Sequence, residues 1–285
     1  DLGRNQFQTW APIPINFQLY DLGYTGNLVW DQAPEKTGLN VSLLPYVNTG
    51  MTREKGEGNS FEVNSTFKSG LDAKIALTSS LNLDLTLNPD FSQVEVDVQQ
   101  TNLTRFNLRF PERRPFFLEN NDLFTEFGPN NAKPIFTRRI GLDTENYPVP
   151  INYGLRLSGN ISDNTRIGIL QLQTQAQQDS PGQNYSIAVF NQKILSRSVI
   201  RGYATNRQSY QKELGWNSQD FGRNAGLELN FLNSSGTWNY FAAYHLSSKS
   251  GEGLGTYGNF GVEYSSRGWK ARINYWDISS DYYSD

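Results

Sequence analysis

The sequence predicts an all-β protein: an antiparallel transmembrane β-barrel, as an incomplete portion of a larger barrel, with a long segment inserted into its lumen. Three observations lead to this fold class. From about Leu39 onward, segments of roughly ten residues alternate apolar and polar side chains, as the spanning strands of a barrel do. Short and long links alternate strictly between these segments. Aromatic residues make up 13% of the chain, as the interfacial girdles of a barrel require.

The alternation of link lengths distinguishes this pattern from that of a soluble sandwich, which has no reason to keep it. Barrels of the outer membrane have short periplasmic turns and long outer loops. The short links are 78–80, 162–164, 195–197, 233–236 and 265–268, and the long links are 51–59, 89–151, 175–183, 206–223 and 247–256.

Composition excludes several classes of protein. The chain has 285 residues, enough for one large or two ordinary domains, and no run reaches the roughly 18 apolar residues of a spanning helix. It has no cysteine, which excludes a disulfide scaffold and a cysteine-ligated zinc site. The net charge of −3 gives no basic surface for nucleic acid, so none is expected as a partner.

The clearest predicted hairpin covers residues 61–88, where one side of the second strand is entirely leucine. Alternation in a single hairpin also fits the half-buried sheet of a soluble protein. The apolar side of that strand consists of Leu81, Leu83, Leu85 and Leu87. The predicted strands are 39–50, 60–77, 81–88, 152–161, 165–174, 184–194, 198–205, 224–232, 237–246, 257–264 and 269–278.

The later strands begin or end their apolar side with an aromatic residue. Trp238, Tyr240 and Tyr244 face one way, and His245 faces the other. Amphipathic rings in these positions suit a headgroup boundary. Ordinary cross-strand aromatic pairing is the alternative explanation.

Eleven strands cannot close a usual bacterial barrel, which has an even number. The chain is therefore expected to be a mature or truncated part of a longer barrel, unless residues 17–30 supply a twelfth strand. The predicted organisation is a periplasmic lead-in over 1–38 and a barrel portion over 39–285, with 89–151 as a plug-like insertion in the lumen.

The insertion is too aromatic to stay solvated and too charged to lie in lipid, which favours a polar lumen. Its acidic and basic residues are expected to pair with one another, which lowers the cost of burying them. The functional interpretation is a plug or constriction, and the structural one is a brace for the barrel wall. The candidate lumen residues are Glu112, Arg113, Arg114, Phe116, Phe117, Glu119, Asp122, Arg138 and Arg139.

Three strings within this region resemble a large Bacteroidetes family of outer-membrane proteins, in which a domain similar to family-nine carbohydrate-binding modules precedes a membrane β-barrel domain of unknown function. They are LTLNPDFSQVE at 85–95, FPERRPFFLE at 110–119 and FTRRIG at 136–141, and WAPIP at 10–14 and LLPYV at 43–47 also look similar. The resemblance covers roughly residues 7–175 by motif and the rest by pattern. It implies an outer-membrane location and a barrel architecture, and the family offers no established catalytic residues to carry over. The chain departs from the family in lacking the carbohydrate-binding domain and a terminal strand that ends in an aromatic residue.

No enzymatic chemistry is expected, and neither a cofactor nor a metal is predicted. Glu112, Glu119 and Asp122 could serve glycoside hydrolysis as a carboxylate pair, but neighbouring arginines would keep them ionised and oppose a general acid. His245 is the single histidine and offers no ligand cluster, so a position in the barrel wall is expected.

The first functional hypothesis is an outer-membrane barrel that transports, gates or docks a ligand, as a subunit of a larger envelope complex. The arginines of the insertion would favour anionic or sugar-like cargo. The second is a plugged, non-transporting barrel that anchors a periplasmic carbohydrate-binding domain. The third is a soluble all-β carbohydrate-binding or hydrolytic protein. The expected partners are outer-membrane lipid, other envelope proteins and carbohydrate.

Overall fold

The computed structural model describes residues 11–13, 24, 26, 28–31, 40–55, 61–89, 110–129, 133–143, 148–177, 181–211 and 215–283. Within this part of the chain, eleven strands form one antiparallel sheet in strict sequence order. The strands are β1 (Val41–Lys55), β2 (Phe61–Ala76), β3 (Leu81–Leu87), β4 (Ile151–Ser162), β5 (Thr165–Thr174), β6 (Gly182–Ile194), β7 (Ser198–Gln211), β8 (Gly215–Leu232), β9 (Trp238–Lys249), β10 (Leu254–Ser265) and β11 (Lys270–Ile278).

The all-β antiparallel prediction is confirmed, and the sheet is open, with β1 and β11 as its edges among the described residues. Two short helices, α1 (Pro115–Leu118) and α2 (Asp122–Thr125), and a 3₁₀ turn over Thr137–Arg139 lie between β3 and β4. The candidate twelfth strand at 17–30 and the lead-in over 1–38 fall almost entirely outside the described residues. No described helix has the length and apolar character needed to cross a membrane.

Several strands are longer than predicted at the end of the sheet where the long links lie. The long link predicted over 206–223 is mostly strand, because β7 continues to Gln211 and β8 already begins at Gly215. The polar sequence misled the prediction, since ladder hydrogen bonds join backbone groups whatever the side chains. Cross-strand contacts also hold this extension together: the Ser209 hydroxyl donates to Asp220, and the Tyr210 and Trp216 rings lie 5.2 Å apart.

The strand register separates two faces of the sheet. We call the face that carries residues 110–129 and 133–143 the covered face, those residues the insert, and the opposite side the bare face. Arg156 pairs with Leu170 on the covered face, and Leu157 pairs with Ile169 on the bare face. Alternating side chains along each strand therefore fall on opposite faces across the whole sheet.

The bare face is apolar, and no described helix or second sheet packs on it. The leucine side of β3 lies here, in register with Leu155 and Leu157 of β4. Ile273 is 74% exposed and Tyr275 65% exposed in β11. Aromatic side chains cluster at the short-turn end, where the Trp238 ring lies 4.9 Å from that of Tyr264.

The compact apolar core lies between the insert and the covered face of β5 to β7. Phe117, Leu123 and Phe124 of the insert are almost completely buried. Their partners in the sheet include Leu170 and Leu172 of β5. The insert is thus packed against the sheet as a folded layer.

Candidate functional site: the insert and the covered face

The sequence of the insert explains its short helices. Pro115 occupies the first turn of α1, where a missing N–H costs nothing, and Arg114 before it is extended. Asn120 has a positive φ of 49°, which turns the chain between α1 and α2. Both helices have only four residues, so packing on the sheet determines their position more than helix propensity does.

Two glycines let the insert approach the sheet closely. A Cβ at Gly168 of β5 would lie 2.6 Å from the Phe124 ring, and a Cβ at Gly154 of β4 would lie 3.1 Å from the Phe116 ring. Side chains larger than hydrogen at these positions would push the aromatic rings away from the sheet.

Glu112 and Arg114 form the charged centre of the insert. The guanidinium donates to both Glu112 oxygens at 2.8 Å through Nε and Nη2, and also donates to the carbonyls of Thr137 and Ile140. The Thr137 hydroxyl donates to Glu112 at 2.9 Å. Burial alone would raise the pKa of Glu112, but the hydrogen bonds and charge of Arg114, with the Thr137 hydroxyl, outweigh burial and lower it.

This centre joins the motif at 110–119 to the motif at 136–141. Arg138 lies 3.9 Å from Glu112, and the Arg114 guanidinium stacks 4.1 Å from the Phe117 ring. The backbone N–H of Arg113 donates to Glu112. The role of these residues is therefore to hold the two strings together.

The other acidic candidates pair with the sheet instead of with the insert. Glu119 forms an ion pair with Lys74 of β2 and accepts a hydrogen bond from Asn82 of β3. Asp122 accepts two hydrogen bonds from Arg166 of β5, at 2.5 and 3.1 Å. The sequence pattern instead predicts arginines of the insert as their partners. Sheet partners could not be identified from sequence, since the register that aligns them is a tertiary property.

Further contacts join the insert to other strands of the covered face. Arg156 of β4 donates to the Phe116 carbonyl at 2.7 Å, and Arg201 of β7 pairs with Glu126 at 3.2 Å. The backbone N–H of Gly128 donates to Glu228 of β8 at 2.8 Å. Residues 116–128 are thus tethered to strands from β2 to β8.

A buried polar cluster on β8 and β9 forms a second candidate site, which the sequence pattern does not reveal. His245 is fully buried, with Nε2 at 3.1 Å from Glu228 and Nδ1 at 3.3 Å from the Tyr282 hydroxyl. Arg201 also donates to Glu228 at 2.7 Å. Burial raises the pKa of Tyr282 to about 12, so this phenol stays neutral at physiological pH. The only sequence signal was the single histidine on the polar side of its strand.

A cavity of about 420 Å³ lies between the insert and the wall at the long-link end. Pro134, Ile135 and Ile140 of the insert form its apolar part. Arg207 and Asp220 of the β7–β8 hairpin form part of its polar wall and lie 3.3 Å apart. Mixed linings of this kind suit a small polar ligand with an apolar face.

Of the four arginines predicted to select cargo, Arg139 borders this cavity and is exposed. Arg114 is buried against Glu112 and cannot contact cargo without losing that pair. No group of three or more acidic or histidine side chains capable of holding a metal ion occurs among the described residues.

Comparisons with known proteins show what part of the chain is similar to. Residues 37–153, less than half of the chain, match a family described as a domain of unknown function (DUF5916). No curated protein is significantly similar to the sequence. Among solved structures, the chain is similar to the in-vitro folded trimer form of OmpT, an outer membrane protein of Vibrio cholerae, at 12% identity and a TM-score of 0.30, over 85% of this chain and 90% of that one.

Proposed function

We propose that the chain is a membrane-spanning portion of an outer-membrane β-barrel, with the bare face toward lipid and the covered face toward the lumen. The observation that carries the proposal is the shape of the apolar area on the bare face. In β3 it runs from Leu81 to Leu87, and in β10 it runs from Gly258 to Tyr264. Through the register Leu81 falls in the same row as Gly258, so from that row the β3 run extends toward the long-link end and the β10 run toward the short-turn end. The band therefore crosses the sheet diagonally.

A diagonal band is what tilted strands produce when they cross a slab of hydrocarbon. Between β3 and β10 the centre of the band moves by about three rows of side chains, roughly 20 Å, over seven strand spacings, roughly 34 Å. That slope is about 30°, close to the tilt of about 35–45° in membrane barrels. On β9 the apolar residues extend over 238–246, a length that suits a spanning strand of about 9–11 residues.

Within such a barrel the insert would act as a plug, and the cavity beside Arg139 would be a docking site for a ligand from the long-link side. Short turns mark the periplasmic side in barrels of this kind, so the cavity would open outward. The proposed function is ligand docking and gated passage past the insert. Anionic or sugar-like cargo, envelope partners and a Bacteroidetes origin remain predictions.

A second function is favoured by the way the insert is held. Its apolar core and its ion pairs to β2, β5 and β7 are those of a permanently folded layer. A permanently plugged barrel would anchor a periplasmic domain without transport.

Planar-bilayer conductance of the full-length protein distinguishes the two functions. The informative variant is the triple substitution Glu119→Gln, Asp122→Asn and Glu126→Gln, which removes three ion pairs to the sheet and leaves the Glu112 centre intact. Gating predicts brief openings in the wild type and a higher open probability in the variant. A trace that stays closed in both proteins supports the anchor and excludes gated passage. A protein that extracts without detergent and shows no heat-dependent gel mobility contradicts both.

A further inference from the structure

The bare face carries a groove over strands β5 to β9, with a volume of about 610 Å³. Its floor is a row of small side chains, Ala188, Ala204 and Ala225, which are paired directly with one another in the register. The larger side chains that border it are Ile169, Phe190, Leu227, Tyr244 and Leu246.

A glycine shapes the groove beside this floor. A Cβ at Gly202 would lie 2.3 Å from an atom of the Phe190 ring and 3.0 Å from Leu227. The glycine therefore lets the ring lie against the sheet, and a narrow apolar channel remains between larger side chains.

The surface changes from apolar to polar one row beyond this floor, toward the long-link end. The residues in that row are Gln171, Ser186, Asn206, Arg223 and Ser248. Farther along the same row, toward β1, Leu43, Leu85 and Leu155 are still apolar. The polar change is thus confined to the strands above the groove.

Arg223 is the cation in this polar row. Its Nε donates to Asn206 Oδ1 at 3.0 Å, and its guanidinium lies 4.5 Å from the centre of the Phe221 ring. The side chain is exposed and has no ion-pair partner among the residues that the structure describes. Arg223 and Ala225 lie on the same face of β8, about 6.7 Å apart along the strand.

We propose that the groove and Arg223 form a binding site for an anionic phospholipid, whose phosphate has no cation in its own headgroup, a step that rests on the membrane-spanning function proposed above. One acyl chain lies over the alanine row, and the phosphate meets the guanidinium. Arginine suits this role because its planar fork of N–H donors matches phosphate oxygens. With the short turns periplasmic, the lipid belongs to the outer leaflet.

The position of the charge favours a lipid over a protein segment. In the proposed orientation, Arg223 lies at the end of the apolar band on β8, at the depth of lipid headgroups. The groove itself opens toward the hydrocarbon of the membrane. A single molecule with a phosphate above a hydrocarbon chain meets both features at once. The Phe221 ring against the guanidinium and the Asn206 contact hold the arginine in place without neutralising it.

The test uses native mass spectrometry of the full-length protein after folding into vesicles of phosphatidylcholine with one tenth phosphatidylglycerol of the same chain length. The wild type is expected to retain phosphatidylglycerol in excess of its share. Arg223→Gln is expected to reduce that excess about tenfold, since one charge-assisted contact has roughly this effect. Ala204→Phe, which fills the groove and leaves the charge, is expected to reduce it as well.

Two controls match these variants on the same face. Arg53→Gln removes another arginine of the bare face, 3.8 Å from the ring centre of Phe61, and Ala73→Leu enlarges an alanine outside the groove. Both are expected to retain lipid as the wild type does. Equal loss in the controls, or no loss in Arg223→Gln, overturns the site.

The remaining outcomes are also decisive. If millimolar inorganic phosphate displaces the retained lipid, Arg223 binds free anions and the lipid site is wrong. If the wild type inserts, with heat-dependent gel mobility, but retains both lipids in proportion, the site fails and the barrel proposal stands. If the wild type does not insert, both proposals fail together.

Discussion

At the scale of single residues, an opposite charge and several hydrogen bonds lower the cost of burying a charged side chain in the insert. Glu112 shows this most clearly, since its side chain is 2% exposed and meets the Arg114 fork, two backbone N–H groups and the Thr137 hydroxyl. Five donors satisfy one carboxylate. Its role is to lock the insert, and the lowered pKa is the expected consequence of these partners.

Glu112→Gln is expected to destabilise the folded protein by about 3 kcal/mol, because Arg114 would be left buried without its counter-charge. Urea titration of the folded protein in detergent micelles measures this loss. Glu119→Gln is the control, since its ion pair is partly exposed and such pairs contribute roughly 1 kcal/mol or less. Equal effects of the two substitutions would contradict the assigned role of Glu112.

The same residue sets an acid dependence of stability. A carboxyl group with a lower pKa in the folded state stabilises the fold above its ordinary pKa of 4.5, and the stabilisation is lost as the pH falls below that value. Wild type should therefore lose more stability than Glu112→Gln between neutral pH and acid. Parallel pH profiles of the unfolding free energy would contradict this sign.

At the scale of elements, strand existence could be predicted from sequence, but strand ends and the partners of the insert could not. Apolar alternation located all eleven strands, since burial of one face imposes a period of two. The extension of β7 and β8 has no such period, because polar side chains fall on both of its faces. The partners Lys74 and Arg166 likewise depend on register, which no local pattern encodes.

Hydrogen exchange tests the extension of β7 and β8. Amides of residues 206–211 are expected to be protected, since these residues pair with β6, with β8 or with both, although their sequence is that of a loop. The described link residues 175–177, which lie outside the strands, provide the comparison within the same sample. Exchange of the hairpin amides at the rate of those residues would show that the extension does not form.

The substitution Gly168→Ala tests how closely the insert packs on β5. The added methyl group would meet Phe124 at 2.6 Å and Val189 at 2.7 Å, so a loss of about 1–3 kcal/mol is expected. Gly268→Ala is the matched control, because no atom lies within 4 Å of the added Cβ. Thermal unfolding of both variants in detergent measures the difference. A neutral Gly168→Ala would mean that Phe124 does not pack there.

At the scale of the whole molecule, the insert covers one face of the sheet, and no described part of the chain covers the other face. The insert packs on the covered face and pairs with several of its charged side chains, while the bare face has an apolar band that no described element covers. Water is a poor environment for such a band, and lipid is a good one. The diagonal course of the band then fits tilted strands in a membrane.

The most direct test of this assignment uses single cysteines in β8, which is feasible because the chain has none of its own. Leu229→Cys reports on the bare face and Asn230→Cys on the covered face, one residue apart. Each is labelled with an environment-sensitive fluorophore in vesicles, and quenching by lipids with brominated acyl chains is measured. Strong quenching at 229 with little at 230 is the predicted result. Equal quenching at both positions, or none at 229, would contradict a membrane-facing bare side.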